Sequence, residues 1–179
     1  MGTGQMMLTI GAMMLLSILI LRVNSTSVVS QGTIIDSKMG IVSLTVANTY
    51  VDYAKRQVFD KAVFDSTISI VSVGDLTAPG SLGPEAGEVY PNFNDFDDLN
   101  LWDPAIGRNI VITDTTTLQS STVPGLFTPV YITSRVYYVN ESNLELRVNN
   151  RTWFKRIDVY VWTDTSTDTL KYSSLSTIW

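Results

Sequence analysis

The sequence predicts an α+β protein in which a long hydrophobic N-terminal α-helix precedes a small antiparallel β-rich globular domain. Residues 1–21 contain no charged side chain, and apolar residues continue at helical spacing through residues 28–58. Further along, short β-branched runs alternate apolar and polar residues, as strands do. We therefore expect the long helix over residues 1–65 and the β-rich domain over residues 66–179.

The apolar run at residues 6–21 begins the predicted helix. Sixteen residues rise by about 24 Å, so the uncharged residues before them are needed to cross a hydrocarbon core of about 30 Å. A secretory signal opens with positive charge and ends at a small-residue cleavage site. MGTGQ has no charge and residues 19–24 offer no such site. A retained helix is therefore favoured over a cleaved secretory signal, either as a permanent anchor or as an assembly element.

The second half of the predicted helix runs without proline to about residue 64. Gly32 and Gly40 weaken it, because each costs about 1 kcal/mol relative to alanine in a helix interior. We expect a bend or a locally unwound stretch at one of these glycines.

The β-rich domain begins with a long loop. Residues 75–108 contain four of the six prolines, which favours an extended loop over a strand. Strands are predicted at 67–73, 110–115, 126–139, 144–148 and 153–163, with a last short one near the C-terminus.

Composition excludes several classes of function. Without histidine or cysteine the chain lacks the usual general base, the thiolate nucleophile and the common zinc ligands. Residues 67–179 carry seven basic and thirteen acidic side chains, so they do not form the basic surface that nucleic acid requires. We expect no catalytic residues, no small-molecule substrate and no nucleic-acid partner.

Asp95, Asp97 and Asp98 form an acidic cluster that is a candidate calcium site, because calcium prefers oxygen ligands. The spacing is not that of an EF-hand. The alternative is an ordinary acidic loop in which the carboxylates form Asx-turns and helix caps. No other cofactor is expected. Asn24, Asn140 and Asn150 begin matches to the N-glycosylation sequon, a short pattern that also arises by chance.

Three stretches resemble type IV pilins. Gly4-Gln5-Met6 with the apolar run is similar to the class III (prepilin-type) signal of these proteins. Residues 88–100, EVYPNFNDFDDLN, resemble the segment that follows the long helix, and residues 155–161, KRIDVYV, resemble one of the strands. The sequence departs from the family at the fifth mature position. Most bacterial type IV pilins have a glutamate there, whereas this chain offers Gln5 or Thr9, depending on where maturation occurs.

The resemblance implies a structural subunit of an extracellular type IV pilus-like filament, with an inner-membrane-inserted precursor. Its partners would be identical subunits in a helical polymer and, before assembly, lipid and the inner-membrane assembly machinery. The alternatives are a membrane-anchored adhesion or binding module and a minor tip or initiator pilin. The first half of the helix would pack against its copies through Gln5, Met6, Leu8, Ile10, Met13, Leu15, Leu16, Ile18, Leu19 and Ile20.

Overall fold

A computed structural model describes residues 2–64, 72–103, 108–118, 126–164 and 168–178. It has the predicted fold class, a long apolar N-terminal helix followed by a small five-stranded antiparallel sheet. The elements are α1 (Thr3–Arg56), α2 (Lys61–Phe64), 3₁₀ turns at Val73–Asp75 and Asp97–Leu99, β1 (Trp102–Asp103), β2 (Arg108–Asn109), β3 (Ile112–Leu118), β4 (Leu126–Asn140), β5 (Asn143–Arg147), β6 (Phe154–Thr163) and β7 (Leu170–Thr177).

Contacts between residues divide the chain into two units, residues 1–40 and residues 41–179, so α1 contributes to both. Within residues 3–56 the helix is continuous through Gly32 and Gly40, and the unwinding expected at one of them is not seen. A Cβ at either glycine would lie in open space, so no close contact requires glycine there.

The main sheet of the second unit has the order β3-β4-β6-β7, and β5 pairs with the end of β4. All of these pairings are antiparallel, as the hairpin-rich sequence predicts. The two short strands β1 and β2 form a separate antiparallel pair at the end of the predicted loop. The expected strand at residues 67–73 lies mostly outside the described residues, and its last residue, Val73, opens a 3₁₀ turn.

The core of the second unit lies between the last turns of α1 and one face of the sheet. Ala47, Tyr50, Val51 and Ala54 recur at helical spacing and are buried. The sheet and the loop contribute the other buried side chains: Phe93, Phe96, Leu99, Leu101, Val130, Ile132, Val136, Ile157, Val159 and Val161. The end of α1 is therefore a helix that belongs to a folded domain.

α1 ends at Arg56, earlier than the sequence predicts, and residues 57–60 leave helical geometry before α2. Val58 forms a parallel bridge with Asp95, and its carbonyl accepts a hydrogen bond from the Phe96 backbone amide. The side chain of Asp60 accepts the Ala62 amide at 3.1 Å and so caps α2. This break brings Asp60 into the interior of the second unit, where it is fully buried.

Candidate functional site: an apolar helix surface and a buried ionic centre

The first turns of α1 expose nearly all of their apolar side chains. The predicted assembly residues from Met6 to Ile20 lie on this part of the helix and are between 53% and 75% exposed: Met6, Leu8, Ile10, Met13, Leu15, Leu16, Ile18, Leu19 and Ile20. Gln5 is exposed beside them. The first charged residue of the chain, Arg22, follows directly after this segment. A surface this apolar is not stable in water on its own.

The apolar residues of this segment surround the helix instead of forming one stripe. Such a helix is buried in protein or in lipid. α1 is long and apolar enough to cross a membrane, with an 18-residue window of mean hydropathy 2.2. The hydroxyl of Thr9 donates to the Met6 carbonyl at 2.9 Å, and that of Ser17 to the Met13 carbonyl at 2.9 Å. These polar side chains are therefore satisfied within the helix and need no water.

Lys155 forms an ionic centre inside the second unit. Its side chain is fully buried, and its ammonium group donates to the Phe59 carbonyl at 2.9 Å, to Asp60 Oδ2 at 2.6 Å and to Asp97 Oδ1 at 2.5 Å. The rings of Phe59 and Tyr138 lie beside it, with centroids 4.4 Å and 5.2 Å from Nζ. An ammonium group has three donors, and all three are used here. The centre ties β6 to the segment after α1 and to the acidic loop.

The two carboxylates of this centre are not equivalent. Burial alone would raise the pKa of Asp60, but Lys155 and the amides of Thr77 and Ala62 outweigh it and hold the pKa below its ordinary value. Burial raises the pKa of Asp97 to about 7, although Lys155 favours its ionised form. Asp97 Oδ2 has no hydrogen-bond partner among the described residues. The charge of Lys155 therefore compensates mainly Asp60.

Sequence analysis did not identify this centre, although a signal was present. Lys155 shares the inward face of β6 with Ile157, Val159 and Val161, all of which are fully buried. Strand alternation places every second residue on the same face, so a lysine in this series has to be buried. A buried lysine needs carboxylate partners. The strand alternation of β6 therefore indicated that Lys155 is buried, but its partners Asp60 and Asp97 could be identified only from the tertiary structure.

The three aspartates predicted as a calcium site have different surroundings. Asp95 Oδ1 accepts the backbone amides of Asp97 at 2.7 Å and Asp98 at 3.2 Å, which is the Asx-turn arrangement. Asp97 pairs with Lys155. Asp98 Oδ2 accepts the backbone amides of Asn94 at 2.9 Å and Asp95 at 3.3 Å. The described carboxylates that lie within metal-binding distance of one another belong to Glu85, Glu88 and Asp98 instead.

The three predicted glycosylation sequons lie in different places. Asn24 is exposed on α1. Asn140 ends β4, and its side-chain oxygen accepts the backbone amides of Ser142 and Asn143 in the turn to β5. Asn150 is exposed in the turn before β6, and its amide donates to the Arg151 carbonyl at 3.4 Å. Glycosylation at these positions stays a prediction.

Comparison of the chain with protein-family models, with curated proteins and with solved structures finds no match. The resemblance to type IV pilins therefore depends on the sequence stretches quoted above.

Proposed function

We propose that this chain is a structural subunit of a type IV pilus-like extracellular filament, which polymerises through the first half of α1. The observation that carries the proposal is the uncharged helical segment at residues 3–21, which is apolar on all sides and exposed along its length. Burying one large apolar side chain contributes about 1.5–3 kcal/mol relative to leaving it in water. The helix therefore requires a partner throughout its lifetime, first lipid and then copies of itself.

The proposed mechanism is an exchange of apolar surroundings. The inner membrane would hold the helix before assembly, and the assembly machinery would extract it as it packs against the helices of neighbouring subunits. Backbone groups and the hydroxyls of Thr9 and Ser17 are bonded within the helix, so they need no new partner when the surroundings change. Extraction therefore exchanges lipid contacts for protein contacts without breaking hydrogen bonds of the helix.

No carboxylate is available at the position where pilins have their glutamate. Gln5 and Thr9 are both exposed on α1, and Thr9 donates to a carbonyl of its own helix. Recognition between subunits would therefore depend on helix packing and neutral hydrogen bonds.

A membrane-anchored binding module is the second candidate, because the second unit has a cavity of about 760 Å³. It lies beside Leu82, Val89, Tyr90, Trp102 and Ile110, and this size is in the range of small-molecule sites. An anchored module would keep the same helix in the membrane permanently.

Electron microscopy of sheared cell-surface material, with mass spectrometry of the sheared fraction, tests the proposal. A filament subunit is found in thin filaments that contain this chain as a main component. Recovery of the chain from the membrane fraction alone, with none in sheared filaments, would contradict the proposal and favour the anchored module.

A further inference from the structure

Glu85, Glu88 and Asp98 bring one carboxylate oxygen each to within 4.8 Å of one another. Calcium binds oxygen ligands at about 2.3–2.6 Å, so two ligands of one ion lie at most about 5 Å apart. A single ion between the three carboxylates would therefore reach all of them. The three residues come from the loop after α2 and from the 3₁₀ turn that begins at Asp97.

Unpaired oxygens at the same place are a second and independent observation. Five buried side-chain polar atoms in the described parts of the chain lack a hydrogen-bond partner, and three of them are Glu85 Oε2, Asn94 Oδ1 and Asp98 Oδ1. Asp98 is completely buried. A buried acceptor without a donor is costly, and native proteins rarely leave several together. A cation is the ligand that satisfies several lone acceptors at once.

Hydrogen bonds hold the surrounding groups in place. The Glu85 amide donates to Glu88 Oε2 at 3.0 Å, and the Asn94 amide donates to Asp98 Oδ2 at 2.9 Å. The side-chain amide of Asn94 donates to Glu88 Oε1. These bonds use both carboxylate oxygens of Glu88 and Oδ2 of Asp98, and they leave Asp98 Oδ1 without a donor. The ligands are therefore largely positioned before an ion arrives.

The net negative charge of the three carboxylates and their lysine partner matches that of a divalent cation. Three carboxylates converge, and within the described ranges the cation paired with them is Lys61, whose Nζ lies 2.6 Å from Glu85 Oε1. The Lys61 side chain is 55% exposed, so solvent screens much of this pairing. One lysine against three carboxylates leaves two negative charges, which one divalent ion balances.

We propose that Glu85, Glu88 and Asp98, with the side-chain oxygen of Asn94, form a calcium site. The ligands are all oxygens, and the sequence has no histidine or cysteine to favour a softer metal. Three carboxylates and an amide oxygen suit the flexible coordination of calcium better than magnesium, which needs near-ideal octahedral geometry and keeps several waters. Of the three aspartates singled out from the sequence, this site uses only Asp98.

Calorimetric titration of calcium chloride into the chelator-treated full chain in a nonionic detergent tests the site. Wild type is expected to bind one calcium ion per chain. Glu85→Gln, which keeps the size of the side chain and removes its charge, is expected to weaken binding by at least about tenfold. Glu145→Gln, an exposed residue of β5, is the matched control and is expected to bind as wild type does.

Asp98→Asn is a second variant, but Asp98 also accepts two backbone amides, so tryptophan fluorescence is used to check its folding. Among the described residues, the Glu85 carboxylate accepts one hydrogen bond, from Lys61 Nζ to Oε1, so Glu85→Gln keeps the test decisive if Asp98→Asn does not fold. Absence of calcium binding up to about 10 mM would overturn the proposal, since even weak extracellular calcium modules bind at about 0.1–1 mM. Unchanged binding in Glu85→Gln would overturn it too, as would equal affinity for magnesium.

Discussion

The two ends of α1 carry different kinds of residue. One end packs within a folded unit, whereas the other exposes apolar side chains that need an external partner. In the second unit the helix supplies small and aromatic side chains to a core that also accommodates a fully buried lysine with its partners. The first part of the helix has no charge before Arg22, and its leucines, isoleucines and methionines remain exposed. The second unit pairs its buried lysine with carboxylates of its own. Within the part of the chain that the structure describes, the first part of α1 has no such internal partners for its apolar side chains, which need lipid or another protein surface.

Replacement of Lys155 by methionine is expected to produce the largest loss of stability. The variant leaves Asp60 and Asp97 buried without their cation, and breaking a buried ion pair in this way costs about 3–5 kcal/mol. All four tryptophans lie after residue 100, so their fluorescence during urea unfolding reports the second unit alone. Lys55→Met, at an exposed site on α1, is the control. An equal free energy of unfolding for wild type and Lys155→Met would show that the centre does not hold this unit together.

A leucine-to-alanine pair compares the two regions directly. Leu101→Ala creates a cavity in the core and is expected to lower the free energy of unfolding of the second unit by about 2–5 kcal/mol. Leu16→Ala removes an exposed side chain and is expected to leave that value unchanged within about 0.5 kcal/mol. The same tryptophan-detected unfolding measures both. A comparable loss in Leu16→Ala would mean that the helix surface contributes to the folded unit.

A smaller loss than those of Lys155→Met and Leu101→Ala is expected at Asp158, on the outer face of β6. Burial alone would raise the pKa of Asp158, but hydrogen bonds from Ser173, Lys171, Tyr137 and Arg156 hold the pKa below its ordinary value. A carboxyl group whose pKa is lower in the folded state stabilises the protein at any pH above its unfolded-state pKa. This stability is lost as the pH falls through the folded-state pKa. We expect Asp158→Asn to cost about 1–2 kcal/mol at pH 7, and we expect this cost to shrink as the pH falls through the lowered pKa of Asp158.

Unfolding of wild type and Asp158→Asn across pH 2–7, with Glu145→Gln as the control, gives this difference. If the difference in free energy of unfolding is the same at pH 7 and at pH 2, the loss of stability comes from packing and not from the charge of Asp158.

The sequence alone predicts the features that depend on the spacing of apolar residues and on composition. The uncharged run, the β-branched alternation and the inward face of β6 predicted the helix, the sheet and the side of the strand that is buried. These features are local, so neighbouring residues determine them. Two features were not predictable in the same way. One is the end of α1 at Arg56, after which Asp60 pairs with Lys155, a residue far along the chain.

The acidic loop is the other case. Asp95, Asp97 and Asp98 are close in sequence, but Asp95 stabilises a turn, Asp97 forms an ion pair with Lys155, and Asp98 accepts the backbone amides of Asn94 and Asp95. Asp97 and Asp98 are neighbours in a 3₁₀ turn and point in different directions, and Asp95 precedes that turn, so closeness in sequence does not bring the three carboxylates together. The carboxylates that do converge with Asp98 come from Glu85 and Glu88. Their meeting depends on the path of the loop, which composition does not specify.

The central claim is that the apolar surface of α1 builds a filament, and a matched pair of lysine substitutions tests it most directly. Leu16 and Leu146 are similarly exposed, at 57% and 53%, but Leu16 lies in the apolar segment and Leu146 on β5. An unpaired charge buried among apolar helices costs several kcal/mol. Filament yield in sheared material is the measurement. We expect Leu16→Lys to yield no filaments and Leu146→Lys to yield filaments, and we expect tryptophan fluorescence to show a folded second unit in both variants. Filaments from Leu16→Lys at the wild-type yield would contradict the claim.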